Sequence, residues 1–318
     1  MNKLFFDNVL AVKAKKEGDF PVFFMGSISQ KGVKGSTVKM KDGSDLDVAK
    51  FSIGLYDRRR DVDYVLKLAG LTEEALASRS ETYDNLDVVC FGASAKLAET
   101  LKGGMQVCGG GVLRKQKDGK VQLVVSGLLK PLAEQQFNTE RNHYERLGFD
   151  ALRPLTSNEG ELPVVFAGTR GRYWDVNSAN TRKGPMSVTH AQLSFYKQND
   201  TIKALKETLG CDKIAYEGEN SSAFRSTAWA KDAEWGAKKA DGDQLVGYGA
   251  LHVNNFNGDT SIELNVKGFA RTFGKSGASD TQTGGNTVAS STVPETQTPT
   301  PVAEPVSTED DEYLDMYM

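Results

Sequence analysis

Cations set beside aromatic rings are the residues of this chain best placed to bind something. Tyr56 runs into Arg58 and Arg59, Tyr196 runs into Lys197, and Arg170 and Arg172 alternate toward Trp174. Lys50 falls on the outward side of the strand that ends at Tyr56. Arg114, Lys115 and Lys117 lead into an Asp118-Gly119 turn, and Arg182 and Lys183 share a loop. Arg225 enters a later strand, Tyr248 stands between two glycines, and Phe256 sits in a hairpin. Rings offer flat stacking surfaces and cations a track for phosphate charge, so this set suits a polyanion with exposed planar groups. Trp174 and Tyr196 fit either a groove or a core. Phe23, Phe24, Phe51, Phe91, Phe166, Phe195, Trp229 and Trp235 fit a core better.

Residues for catalysis do not assemble. Cys90, Cys108 and Cys211 are too few and too scattered for a disulfide framework or a zinc site. His143, His190 and His252 lack metal-ligand spacing, and Cys108-Gly-Gly-Gly lacks the Lys-Ser/Thr ending of a phosphate loop. We therefore expect no enzyme activity, no metal and no cofactor. No apolar run approaches the ~20 residues that cross a bilayer. Asp7 interrupts the apolar opening, a poor secretion signal, so the expectation is a soluble cytoplasmic protein without membrane contact.

Charge is unevenly placed. Eight of the 42 acids and none of the 39 bases lie beyond Lys275, which makes the body +5 and the tail -8. Residues 276–307 are Gly, Ser, Thr and Pro with few large apolar groups, and we expect a disordered linker. The tip, 308–318, mixes Glu309, Asp310, Asp311, Glu312 and Asp315 with Tyr313, Leu314 and Tyr317, a composition suited to docking on a partner protein.

An internal repeat organises the body. Phe91–Leu113 aligns without gaps on Trp229–Leu251, with identities at Ala95/Ala233, Gly104/Gly242, Gln106/Gln244, Gly109/Gly247, Gly111/Gly249 and Leu113/Leu251. Pro21–Gly26 matches Pro163–Gly168 upstream, and Leu123–Leu128 echoes Leu264–Phe269 downstream. Each copy predicts about five strands with a short helix between the third and fourth. That is the order of an OB-fold, a small Greek-key barrel. The expected architecture is mainly β: a barrel over residues 1–131, a connecting helix at Leu132–Leu147 within 132–150, and a second barrel over 151–275.

Val88–Lys120, with its Phe-Gly, helix, Lys-Gly turn and Gly-x-Leu, resembles the second half of a bacterial or phage single-stranded DNA-binding protein. Phe23–Asp57 resembles the first half, and the acidic aromatic C-terminus on a Pro/Gly/Thr linker is that family's other signature. Two barrels in one chain, and Met318 after Tyr317, depart from its usual pattern. The resemblance implies a non-catalytic protein that coats single-stranded DNA in replication, recombination or repair, of phage type. It implies contacts through the cations and rings named above, a tail that recruits replication or recombination proteins or competes with DNA, and possible homo-oligomers. The alternatives are a structural assembly protein and an RNA-binding OB protein.

Overall fold

The computed structural model describes residues 3–56, 59–77, 84–182 and 184–273. In chain order, β1 (Asn8–Ala11) is a short arm. It precedes β2 (Phe20–Ile28), β3 (Lys34–Lys39) and β4 (Asp45–Leu55). Helices α1 (Arg59–Leu68) and α2 (Glu73–Ala77) lead to β5 (Asp84–Phe91), α3 (Ala93–Glu99), β6 (Gln106–Lys115) and β7 (Val121–Leu128). A small hairpin, β8 (Phe137–Asn138) and β9 (His143–Tyr144), precedes a second arm, β10 (Ala151–Pro154). The rest is β11 (Leu162–Thr181), β12 (Gly184–Tyr196), α4 (Asn199–Leu209), β13 (Tyr216–Glu217), β14 (Ser221–Trp229), α5 (Ala230–Ala237), β15 (Gln244–Phe256) and β16 (Asp259–Phe269).

Strand pairing closes two barrels with one topology. In the first, β2 pairs with β4 and β6, β4 with β5, β5 runs parallel to β7, and β7 returns to β6. In the second, β11, β12, β14, β16 and β15 close in the same order, again with one parallel pair. Five strands with a helix after the third is the OB-fold order, present twice. Alternation sets the inward faces. Phe51, Ile53, Leu86, Val88 and Leu123 fill the first barrel, and Phe166, Leu193, Phe195, Phe224 and Leu264 fill the second. Each fully buried side chain of this size contributes roughly 1.5–3 kcal/mol.

The two barrels exchange arms. The first arm, β1, pairs antiparallel with β11 of the second barrel, Val9 opposite Phe166. The second arm, β10, pairs antiparallel with β2 of the first barrel, Leu152 opposite Phe24. A buried glutamine holds each arm. Gln244 Oε1 accepts from the N–H groups of Leu4 (3.0 Å) and Phe5 (2.8 Å), while its Nε2 donates to the Phe5 carbonyl (2.6 Å) and Asp7 Oδ1 (2.7 Å). Gln106 does the same for the other arm. Its Oε1 accepts from Leu147 and Gly148, and its Nε2 donates to the Gly148 carbonyl and Asp150 Oδ1. Asp7 then accepts the Tyr196 N–H and Asp150 the Tyr56 N–H, so each arm also ties down the end of a second strand.

Between the barrels lies a third core of Phe5, Val12, Phe23, Met25, Cys108, Val165, Ala167 and Val246. Gly110 permits this contact, since a Cβ there would meet Val12 Cγ2 at 2.5 Å and Val165 at 3.0 Å.

One expectation is corrected. Residues 132–147 form no helix. Gln135 spends its amide on the backbone of Gln106, accepting its N–H at 2.8 Å and donating to its carbonyl at 2.7 Å, and the β8–β9 turn carries Asn142 at φ 52°. The five strands of each barrel lie to either side of residues 131–151, and each barrel gains in addition an arm from the other's side.

Replacing Gln244 by Ala leaves the Leu4 and Phe5 N–H groups buried without acceptors. We expect a loss of about 2–4 kcal/mol in urea unfolding, and faster hydrogen exchange confined to the first arm and β11. Gln106→Ala shifts the same loss to the second arm and β2.

Candidate nucleic-acid interface

The first barrel presents an open cavity of about 540 Å³ on the outer face of its strands. Alternation places Val48 and Lys50 of β4, Val89 and Phe91 of β5, Arg114 of β6, and Gln122 and Val124 of β7 on this face. Val38 of β3 and Lys16 of the preceding loop stand at its rim. Every residue of β3 is exposed, and its Lys34 lies opposite Lys50. The floor is therefore apolar and aromatic, and the surround is cationic.

The loop that carries Lys16 is fixed by one carboxylate. Asp19, whose side chain is 1% exposed, takes a bidentate bond from Arg114 at 2.6 and 2.8 Å and accepts the N–H groups of Lys15 and Lys16. The Arg114 hydrogen bond is the largest cause of the low Asp19 pKa. Burial opposes it, and the Lys15 and Lys16 N–H groups and the arginine charge reinforce it. Arg114 thus organises the rim, and the other cations among the described lining residues are Lys16 and Lys50. Lys115 donates to the Gly70 carbonyl (3.0 Å), tying the hairpin to the helical insertion, while Lys117 is exposed at the hairpin tip.

Other expected contacts are placed as follows. Tyr56 and Tyr196 are exposed at the ends of β4 and β12, with Lys3 Nζ 4.7 Å from the Tyr196 ring centre. Arg172, Arg182 and Lys197 are exposed. Arg225 is exposed but paired with Glu263 at 3.1 Å. Three residues do not reach an open face. Arg170 is buried, ion-paired with Asp241 and donating to the carbonyls of Gly171 and Gly236. Trp174 is buried too, its Nε1 donating to the Ala233 carbonyl at 3.1 Å. The cause is that both share the phase of Val164 and Phe166, which faces the barrel interior. Arg170 stands opposite Leu193 and Trp174, past a register shift that keeps this phase, opposite Ala191, with the guanidinium 5.3 Å from the indole. Tyr248 packs at the barrel–barrel contact, stacked on Phe23 at 5.3 Å. Arg58, Lys183 and the whole acidic tip from Glu309 to Tyr317 lie outside the described residues, as do the side chains of Arg59 and Phe256.

Two face residues escaped sequence reasoning. Phe91, expected in the core, is 42% exposed on the cavity. Its phase with Asp87 and Val89, opposite to Leu86, Val88 and Cys90, carried that signal. Lys16 lay in a loop with no pattern to place it. Two of the thiols are unreactive, since burial pushes Cys90 up to about 12 and Cys108 higher. Among the described residues no cluster of His, Cys, Asp and Glu could hold a metal ion, and no helix is long and apolar enough to cross a membrane.

No family model and no curated protein sequence matches the chain. Solved structures similar to it include two of the single-stranded DNA binding protein from Thermus aquaticus. A deletion variant is 17% identical, with 79% of this chain and 93% of that chain covered and a TM-score of 0.24. The wild type is 16% identical, with 79% and 92% covered and a TM-score of 0.23. A Replication Protein A heterotrimer bound to ssDNA is 11% identical, with 80% and 50% covered and a TM-score of 0.22. At these scores the likeness carries no weight, and the barrel fold rests on the strand pairing itself.

Because the folded Asp19 pKa lies below its unfolded value, its contribution to stability is full above about pH 4 and drains as pH falls toward the depressed folded value. Asp19→Asn should therefore lower the urea midpoint at pH 7, and the gap from the parent chain should narrow progressively as pH falls below about 4.

Proposed function

We propose that the chain is a non-catalytic single-stranded DNA-binding protein, a coat for unpaired strands in replication or recombination. One observation carries this reading: the open face of the first barrel combines an exposed ring, Phe91, with Lys16 and Lys50 around a floor free of acids. Unpaired bases present flat faces for stacking, worth roughly 1–3 kcal/mol each, and their phosphates meet the cations. A double helix hides those faces, so a shallow face with one ring favours single strands. The two glutamines that line this face, Gln116 and Gln122, hydrogen-bond to each other at 3.3 Å, which suits a coat without sequence preference. The -8 tail is then an arm that recruits replication or recombination proteins or competes with the strand for the cationic face. A phage origin and self-association belong to the same proposal.

Titration of a poly(dT) strand into the full chain at two salt concentrations tests the binding. We expect affinity to fall with a log–log slope of about -0.7 for each phosphate neutralised. No binding at low salt, or equal affinity for duplex and single strand, overturns it. RNA of equal length as competitor separates DNA from RNA preference. Deleting residues 304–318 should tighten binding of short strands at low salt and have little effect at high salt, where the tail's charge is screened.

A further inference from the structure

The two barrels share a topology, so each position on the first face has a counterpart on the second, fixed by strand register. Lys50 stands between Lys34 and Val89; His190 stands between Asp175 and Thr227. Arg114 lies opposite Gln122; His252 lies opposite Glu263. The loops that enter the barrels correspond as well, Glu17-Gly18-Asp19 with Glu159-Gly160-Glu161, both glycines at φ near 80°. Lys15 and Lys16 precede the first of these motifs, Ser157 and Asn158 the second. Where the first face has cations, the second has imidazoles, neutral side chains or acids. Arg225 is taken by Glu263, and the charge of Lys267 acts on Glu161. Of the exposed cations, Arg172 lies in the irregular stretch of β11 between Arg170 and Trp174, and Arg182 and Lys197 sit at a hairpin tip and just beyond a strand end.

The ring is kept. Trp229 takes the place of Phe91, half-buried and in step with Arg225 and Thr227. All three tryptophans belong to the second barrel. Trp174 is buried and hydrogen-bonded, and Trp235 packs on Phe269 at 5.2 Å with Lys239 and Arg271 against its ring. Trp229 is thus the fluorophore on the second face.

Resting on the strand-binding function proposed above, we infer that the barrels divide the work: the first holds the strand by neutralising phosphates, and the second stacks bases on Trp229 with little charge neutralisation. The strand is anchored on the first barrel and extends to the second only when it is long enough.

Labelled oligo(dT) of about eight and about thirty nucleotides, one within and one beyond the span of a single barrel, separates the steps. With the full chain, the short strand should raise label anisotropy and leave tryptophan emission unchanged. The long strand should do both: bind and quench. Trp229→Phe should abolish the quench and keep the short-strand affinity. Charge reversal at Lys16 and Lys50 together should weaken the short strand about tenfold or more and flatten the salt slope by about 1.4. The matched reversal on the second face, Asn158→Glu with His190→Glu, should change it less than about threefold. His190→Lys, which adds a cation, should raise affinity for the long strand and steepen its salt slope. Quenching by the short strand at the same affinity, or equal losses from the two reversals, overturns the division of labour and leaves strand binding standing. Absence of binding by either strand overturns strand binding itself.

Discussion

A barrel seam cannot leave backbone groups without partners, and in this chain that constraint ties the two halves together. The first strand of each barrel serves two neighbours along one edge. In β2, Ser27 and Ile28 pair with β4, while Val22–Met25 pair with the arm β10. In β11, the residues from Thr169 onward pair with β12, while Val164–Ala167 pair with the arm β1. Removing either arm would open an edge of four residues beside a hydrophobic core, a site for wrong pairing. Each barrel closes with its own five strands, and the edge its first strand leaves over is covered by a strand from the other side of the boundary. Gln106 and Gln244 exist in this role because an arm that must insert needs its own buried N–H groups satisfied. One side-chain amide, with an acceptor and two donors, does that for a whole turn of chain.

This construction fixes where function can sit. With one side of the first strands committed to arms and the inter-barrel core, the surfaces left open are the outer faces of the remaining strands. The carboxylates that lock the arms also hold the N–H groups of Tyr56 and Tyr196, so the ends of the face-forming strands β4 and β12 are positioned by the exchange. Rigid scaffolding of this kind lowers the ordering cost of a binding surface.

Much of the fold was legible in the sequence and the exchange was not, for a physical reason. Alternation and turn chemistry act over a few residues, so β4, β6, β7 and the α4 stop at Gly210, in the left-handed region at φ 63°, follow from local pattern. The arm strands are four residues long and mean nothing until their partners, about 150 residues away, are in place. The identity Gln106/Gln244 was visible as a repeat, yet its role was hidden because the groups it satisfies belong to the arms. At the interface the same limit applies. Lys50 came from alternation within a strand and Arg114 from its place before a turn, whereas Arg170 and Trp174 were misplaced because alternation says which residues share a face and not which face is inward. They share the phase of Phe166, which is core.

Within the repeat, what is kept and what differs fall into two physical classes. Both copies keep the residues that satisfy buried backbone or let strands cross closely: the clamp glutamines, Asp7 and Asp150, and the glycine pairs Gly109/Gly247 and Gly111/Gly249. Losing any of them exposes an unpaired group or a clash inside a core, a penalty that does not depend on what the protein binds. Solvent-facing positions carry no such penalty. Lys50 against His190 and Lys34 against Asp175 cost the scaffold nothing, so each face was free to take its own charge. The ring position lies between these classes, since Phe91 and Trp229 each bury part of a side chain against their barrel and leave the rest to solvent. That is why an aromatic platform persists on both faces while the cations surround only one.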